Sequence, residues 1–364
     1  MSITLFSTCP PYPGTNPGAY GDAVRRISRW SEEAGFQGIL IYTDNSTLDP
    51  WLVAQMVIQS TATLSPLVAV QPVYMHPYSV AKMVTTLSCL YGRRICLNMV
   101  AGGFKNDLLA LGDSTPHDRR YDRLVEYSSV ILKLLSGAGP VTFNGEFYRM
   151  EGCALKPPLS AALFPLVTIS GSSAAGIAVA KALGAVAVEY PEPPESCAAR
   201  DRRGGPWGIR IGIVARDEED EAWRIAYERF PPDRAGQIAH KLAMKTSDSA
   251  WHGKLSALSR NPGEKTYWLW PFENYKTFCP YLVGSHQQVA RELSSYISAG
   301  CETFILDVPA SPTDLVHTGR VFALARNAAV SPLGRANDAS TEPLDVPGPG
   351  AAGLGSPDLR PRID

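Results

Sequence analysis

Short, uninterrupted apolar runs alternate along this chain with longer segments whose apolar residues return every third or fourth position. The runs, at 3–8, 38–42, 67–71, 95–100, 166–169, 185–189, 208–215 and 302–307, have the length of strands. Their lack of polar alternation predicts strands covered on both faces, as in a parallel sheet. The longer segments predict helices over 20–34, 49–61, 78–91, 118–135, 173–183, 218–230 and 313–326. Asp49 stands where a helix cap belongs, Pro50 suits the first helical position, and Gly35 is a stop. The stretch 141–150 breaks the rhythm, and Asn144-Gly145 within it predicts a hairpin. Eight strands, mostly followed by helices, predict an α/β fold closed as a (β/α)8 TIM barrel. An open doubly wound sheet is the other arrangement the pattern allows.

Two segments stand outside the repeat. Residues 231–280 are too long for a loop and hold Trp251, Trp268, Trp270, Phe272, Tyr275 and Phe278, so they are expected to form an insertion acting as a lid. Residues 331–364 are rich in Pro, Gly, Ala and Ser and are expected to be a disordered tail. The barrel domain is therefore expected over 1–330.

Composition narrows the function classes. With 34 basic and 35 acidic residues the net charge is −1, which gives no footprint for nucleic acid. No apolar run approaches the roughly 18 residues of a membrane span. The seven cysteines show no C-x-x-C pair and no metal-ligand spacing, and the first residues carry no basic leader. Reduced thiols in a cytoplasmic protein are expected.

Candidate chemistry gathers at the carboxyl ends of the expected strands, where barrels bind ligands. After the fourth strand, Asn98 is followed by Ala101-Gly102-Gly103, and His117 and Tyr121 sit four apart at a helix start. Ser170-Gly171-Ser172-Ser173 ends a strand and opens a helix. It reads as a seat for a phosphate or, more plainly, as a serine cap. His76, after the third strand, is a candidate acid or base, with a structural role as the alternative. Hydrolase elbows, zinc-protease helices and phosphate-binding P-loops are missing.

Several motifs, taken in order, resemble the bacterial luciferase-like flavin monooxygenases, and among them the FMNH2-dependent alkanesulfonate monooxygenases. They are Glu33-Ala34-Gly35-Phe36, Leu97-Asn98-Met99-Val100-Ala101-Gly102-Gly103, His117-Asp118-Arg119-Arg120-Tyr121, Gly145-Glu146-Phe147-Tyr148, Ser170-Gly171-Ser172-Ser173, Gly208-Ile209-Arg210-Ile211 and Tyr281-Leu282-Val283-Gly284. The resemblance runs from about residue 3 to 326 and implies a TIM barrel with a mobile lid. It implies reduced FMN delivered by a separate NAD(P)H-dependent flavin reductase, and oxygenation by O2 through a flavin C4a-peroxide. A homodimer or homotetramer is implied too. Asn98, Ala101, His117, Tyr121, Ser172 and Ser173 would contact the flavin. Arg210, Thr47, His76 and Glu273 are the candidates to anchor substrate or relay protons.

Departures from the motifs bear on the substrate. Thr47 replaces a cysteine, Ala101 a threonine, and Gly212 the histidine of an R-x-H run, while the tyrosine after the last strand has no equivalent at Asp307-Val308-Pro309. Gly212 is expected to open space. With the aromatic run 268–276, this points away from small alkanesulfonates toward a larger, partly apolar or carrier-tethered substrate. A natural-product biosynthetic intermediate fits that description. Desulfonation by a rewired site, a catalytically silent flavin-binding paralogue and a deazaflavin-dependent dehydrogenase are the rival readings.

Overall fold

The computed structural model describes residues 2–12, 14–102, 105–197, 205–246 and 265–330. The expected tail (331–364) and residues 247–264 of the expected lid lie outside the described residues. The strands are β1 (Thr4–Thr8), β2 (Gly38–Ile41), β3 (Ser65–Val70), β4 (Cys96–Val100), β5 (Val141–Asn144), β6 (Arg149–Cys153), β7 (Val167–Ser170), β8 (Val186–Glu189), β9 (Trp207–Arg216), β10 (Tyr267–Trp268), β11 (Tyr281–Ser285) and β12 (Cys301–Leu306). The helices are α1 (Pro17–Glu33), α2 (Pro50–Ser60), α3 (Pro77–Tyr91), α4 (Lys105–Ala110), α5 (His117–Ser136), α6 (Ala174–Leu183), α7 (Pro194–Cys197), α8 (Glu219–Arg229), α9 (Arg234–Thr246), α10 (Trp270–Glu273), α11 (His286–Ser298) and α12 (Pro312–Val330).

Eight strands close on themselves in the order β1-β2-β3-β4-β7-β8-β9-β12, all parallel. They are the eight runs that the apolar pattern marks, and closure excludes the open sheet. Period-2 alternation sorts each strand. One set of side chains meets the surrounding helices in the main core, which includes Val24, Val84, Leu97, Leu124, Ile169 and Leu293. The other set fills the barrel: Phe6, Leu40, Leu67, Cys96, Val186 and Ile305 pack as a separate plug. The plug also takes in Val188, and two residues beyond Leu40, Leu67, Cys96 and Ile305, on the same face of each strand, come Tyr42, Ala69, Asn98 and Asp307. The plug is therefore the floor under whatever the mouth holds.

Local chemistry fixes the helix ends as expected. Asp49 Oδ1 accepts from the amides of Trp51 (2.9 Å) and Leu52 (3.3 Å), with Pro50 at the first position of α2. Gly92, Gly137 and Gly184 end α3, α5 and α6. The expected hairpin is β5–β6.

One region differs from the sequence reading. β9 outgrows the barrel: Trp207 to Ile211 pair with β12, and Gly212 to Arg216 pair in parallel with β11, which the apolar pattern did not resolve as a strand. Short β10 runs antiparallel to β11. Ser285 and Gln288 then cap α11 reciprocally. No helix among the described residues is long and apolar enough to cross a membrane.

Candidate active site

A cavity opens at the carboxyl ends of the barrel strands, and its floor is built from strand-end side chains. Asn98 is buried there. Its Oδ1 accepts from the hydroxyls of Thr168 (2.7 Å) and Ser170 (2.9 Å). With both lone pairs taken, its remaining capacity is its two N–H donors. Arg210 is 5 % exposed and lies over the Tyr42 ring, 4.7 Å from its centroid. Its Nη1 donates to Tyr190 Oη at 3.2 Å. Nη2 lies 3.8 Å from Asp307 Oδ1, and among the described residues neither Nη2 nor Nε has a hydrogen-bond partner. Asp307 is engaged elsewhere, since its Oδ2 accepts from Thr277 (2.5 Å) and Tyr281 (2.8 Å). Burial foremost raises both phenols, followed by Cys279 and Asp307 for Tyr190 and by Asp307 and Cys279 for Tyr281, so both stay protonated.

The opposite wall is made for close approach. Ser173 caps α6, accepting from Gly176 N at 3.1 Å, and Ser172 Oγ accepts from Tyr190 N at 3.3 Å. Gly176 lets the helix sit against the strand end: a Cβ there would lie 2.8 Å from the carbonyl oxygen of Gly171. At Gly171 a Cβ would lie 3.0 Å from Tyr121 Oη. Gly171, Ser172 and Ser173, at the start of α6, line the cavity. His117 and Tyr121, one turn apart on α5, stack edge to face at 5.2 Å, and His117 Nδ1 bonds Asp118 at 2.8 Å.

The rim is acidic. Asp44 Oδ1 accepts from Ser46 N (2.7 Å), Ser46 Oγ (2.8 Å) and Thr47 N (2.9 Å), and Thr47 Oγ1 accepts from Asp44 N (3.3 Å). Asn45 ties this loop to α4, donating to the Asp107 carbonyl (3.1 Å) and accepting from Tyr74 Oη (2.7 Å). Burial and then Asp44 hold the Asp107 carboxyl above its ordinary value.

Eight expected site residues line this one cavity: Asn98, Ala101, His117 and Tyr121 with Ser172, Ser173, Thr47 and Arg210. Two do not. His76 is an exposed cap of α3, its Nδ1 accepting from Tyr78 N at 3.2 Å and its ring edge-on to Tyr148. Glu273, half-buried at the end of α10, is also absent from the lining. Gly212 does not open space. A Cβ there would overlap the Tyr281 ring, which occupies the site instead. The aromatic run is mostly core. Trp268 packs on Trp223, Phe230 and Tyr281, Phe272 is buried beside Leu269, and from residues 265–280 only Phe278 lines the cavity.

Sequence reasoning missed Tyr42, Asp44, Asp107, Tyr190 and Asp307. Strand-end position was an available signal for Tyr42, Tyr190 and Asp307, each just past an apolar run. Nothing local marked Asp44 or Asp107. Among the described residues no cluster could hold a metal ion.

The sequence profile of the luciferase-like monooxygenase family matches residues 1–303. A monooxygenase named BtrO from Niallia circulans, acting on 4-(γ-L-glutamylamino)butanoyl-[BtrI acyl-carrier protein], is 34 % identical over 305 residues, covering 81 % of this chain and 89 % of that protein. Among solved structures, the long-chain alkane monooxygenase LadA superposes with a TM-score of 0.68 at 18 % identity, covering 90 % of this chain and 92 % of LadA. The oxygenating constituent of 3,6-diketocamphane monooxygenase from Pseudomonas putida, a type II Baeyer-Villiger enzyme in complex with FMN, superposes with a TM-score of 0.64 at 16 % identity, covering 89 % and 97 %. This chain belongs to the luciferase-like monooxygenases and is a flavin-dependent monooxygenase of that family.

Proposed function

We propose that this chain is the oxygenase of a two-component system. It takes reduced FMN from a separate NAD(P)H-dependent flavin reductase and uses O2 to oxygenate an acyl group held on a carrier protein. The observation that carries the reading is a single cavity with two unlike walls. Ser172, Ser173 and the first amides of α6 suit a phosphate. Asn98 offers paired N–H donors beside small Ala69 and Ala101, which suits the edge of a flat heteroaromatic ring. His117 and Tyr121 flank the connection between the two.

Bound reduced flavin supplies the electrons that activate O2. The chain's residues hold the ring, exclude water and aim the substrate. Arg210 lines the cavity with its Nε and Nη2 lacking a hydrogen-bond partner among the described residues, and it is the candidate anchor for a substrate carboxylate or carbonyl. Thr47 stands at the rim, where an acyl chain would pass. His76 and Glu273, off the cavity, are given no role. The carrier-bound substrate is inferred from the BtrO relative.

The test is a reaction with reduced FMN, labelled O2 and 4-(γ-L-glutamylamino)butanoyl carrier protein, read by mass. One labelled oxygen atom in the acyl group is expected. Flavin oxidation giving only hydrogen peroxide, with the acyl group unchanged, would refute the proposal.

A further inference from the structure

Helix α9 turns polar residues inward and apolar ones to solvent, the reverse of an ordinary surface helix. Its inner face is held by α10 and the residues after it. Gln237 Nε2 donates to Asn274 Oδ1 at 2.9 Å, and a Cβ at Gly236 would overlap the Asn274 carbonyl. The buried His240 ring lies 4.6 Å from that of Phe272 and 6.0 Å from that of Tyr275. Ala235, Ile238, Ala239 and Leu242 share the outer face, where Ile238 is 53 % and Leu242 59 % exposed. Exposed Arg234 and Lys241 edge this stripe, with no ion pair among the described residues, and no acidic residue interrupts 234–246. Asp233, just before the helix, is taken by Lys276 at 2.5 Å and by the amide of Gly236 at 2.9 Å. The helix stands beside the cavity mouth. Tyr275, against which His240 packs, is 5.8 Å ring to ring from Phe278, which lines the cavity. Rim residue Asp44 is close enough to raise the Tyr275 phenol, second to burial. An apolar stripe edged by cations complements a protein face that sets carboxylates among apolar side chains.

We infer that the outer face of α9 is the docking surface for the carrier protein, which presents to it a helix bearing carboxylates and apolar side chains. The inference rests on the proposed carrier-bound substrate and adds where the carrier sits. A carrier has to settle beside the mouth for its acyl arm to enter the cavity. Elsewhere on the rim, exposed Leu48 and Leu109 share their segments with Asp44 and Asp107, where an acidic partner is repelled. Charge therefore places the carrier on α9. A second copy of this chain laid face to face on the helix would set Arg234 and Lys241 against like charges.

The test uses the full chain, the BtrI acyl-carrier protein loaded with 4-(γ-L-glutamylamino)butanoate, and the same acyl group on free pantetheine. Two double variants are compared with the wild type: Ile238→Asp with Leu242→Asp, and Arg234→Glu with Lys241→Glu. All four positions are exposed, and thermal melts confirm the folds. Calorimetric affinity for the carrier should fall at least tenfold in each double variant. KM for the carrier-bound acyl group should rise as much, with kcat unchanged and the pantetheine thioester turned over as by the wild type. Raising the ionic strength to about 1 M, where the screening length is about 3 Å, should weaken carrier binding by the wild type. Carrier affinity unchanged in both variants would overturn the inference. So would phosphatidylglycerol vesicle binding, or a concentration-dependent dimer, that these variants abolish while carrier affinity holds. Oxygenation of the carrier-bound acyl group with wild-type KM by both variants removes this inference only, whereas no oxygenation of either thioester removes the proposed function.

Discussion

Gly212 shows how one residue resets a site. Without a Cβ, β9 admits the Tyr281 ring, whose hydroxyl reaches Asp307, the carboxylate nearest Arg210. A tyrosine hydroxyl thus arrives beside the last barrel strand from β11, although the sequence after that strand offers none. Gly212→Ala should drive a methyl into that ring and cost about 1–3 kcal/mol, read as a lower thermal midpoint. An unchanged midpoint would mean that the ring is free to move away. Asn98 is the second sensitive position. Asn98→Leu removes the cavity-side donors and strands the Thr168 and Ser170 hydroxyls. Reduced-FMN affinity should fall roughly tenfold, consistent with about 1–1.5 kcal/mol for a hydrogen bond. Equal affinity in a folded variant would place the ring elsewhere.

The elements differ in how much of themselves they wrote into the sequence. The eight barrel strands were legible because burial on both faces leaves an unbroken apolar run. Strand ends also marked candidates: Asn98, Ser172 and Ser173 stood out by position, whereas Arg210 came from the family motif. β11 and α11, between the expected lid and the last strand, were left unassigned, because β11 pairs with the part of β9 beyond the barrel and so falls outside the repeat. The aromatic run misled for a related reason, since a small satellite core of Trp223, Phe230 and Trp268 looks in sequence like a ligand wall. The acidic rim was invisible, because Asp44 and Asp107 meet only through Asn45. α11 and α12 are joined by a pH-sensitive contact: His286 Nε2 lies 2.8 Å from His317 Nδ1, and His286 Nδ1 lies 3.2 Å from Asp217. Burial foremost, then Arg216, His286 and Arg320, hold His317 below 6.5 against Asp217. The unfolded chain therefore binds the extra proton first as pH drops below 6.5, and stability falls with it. Urea midpoints at pH 7.5, 6.5 and 5.5 should decline for the wild type and decline less for His317→Gln. Parallel declines would assign the acid sensitivity to other groups.

At the scale of the molecule, the closed barrel separates stability from chemistry. The plug from Phe6 to Ile305 holds the floor rigid, and the polar residues two positions higher are free to serve a ligand. The central claim is that this mouth grips reduced FMN by seating its phosphate at the start of α6. Ser173→Asp tests it cleanly, because aspartate is as good a helix cap as serine but puts a negative charge where the phosphate belongs. The decisive measurement is an anaerobic titration of reduced FMN into the wild type and Ser173→Asp, with thermal melts confirming both folds. Saturable binding by the wild type and at least hundredfold weaker binding by the variant are predicted. No binding by the wild type, or equal binding by both, would contradict the account.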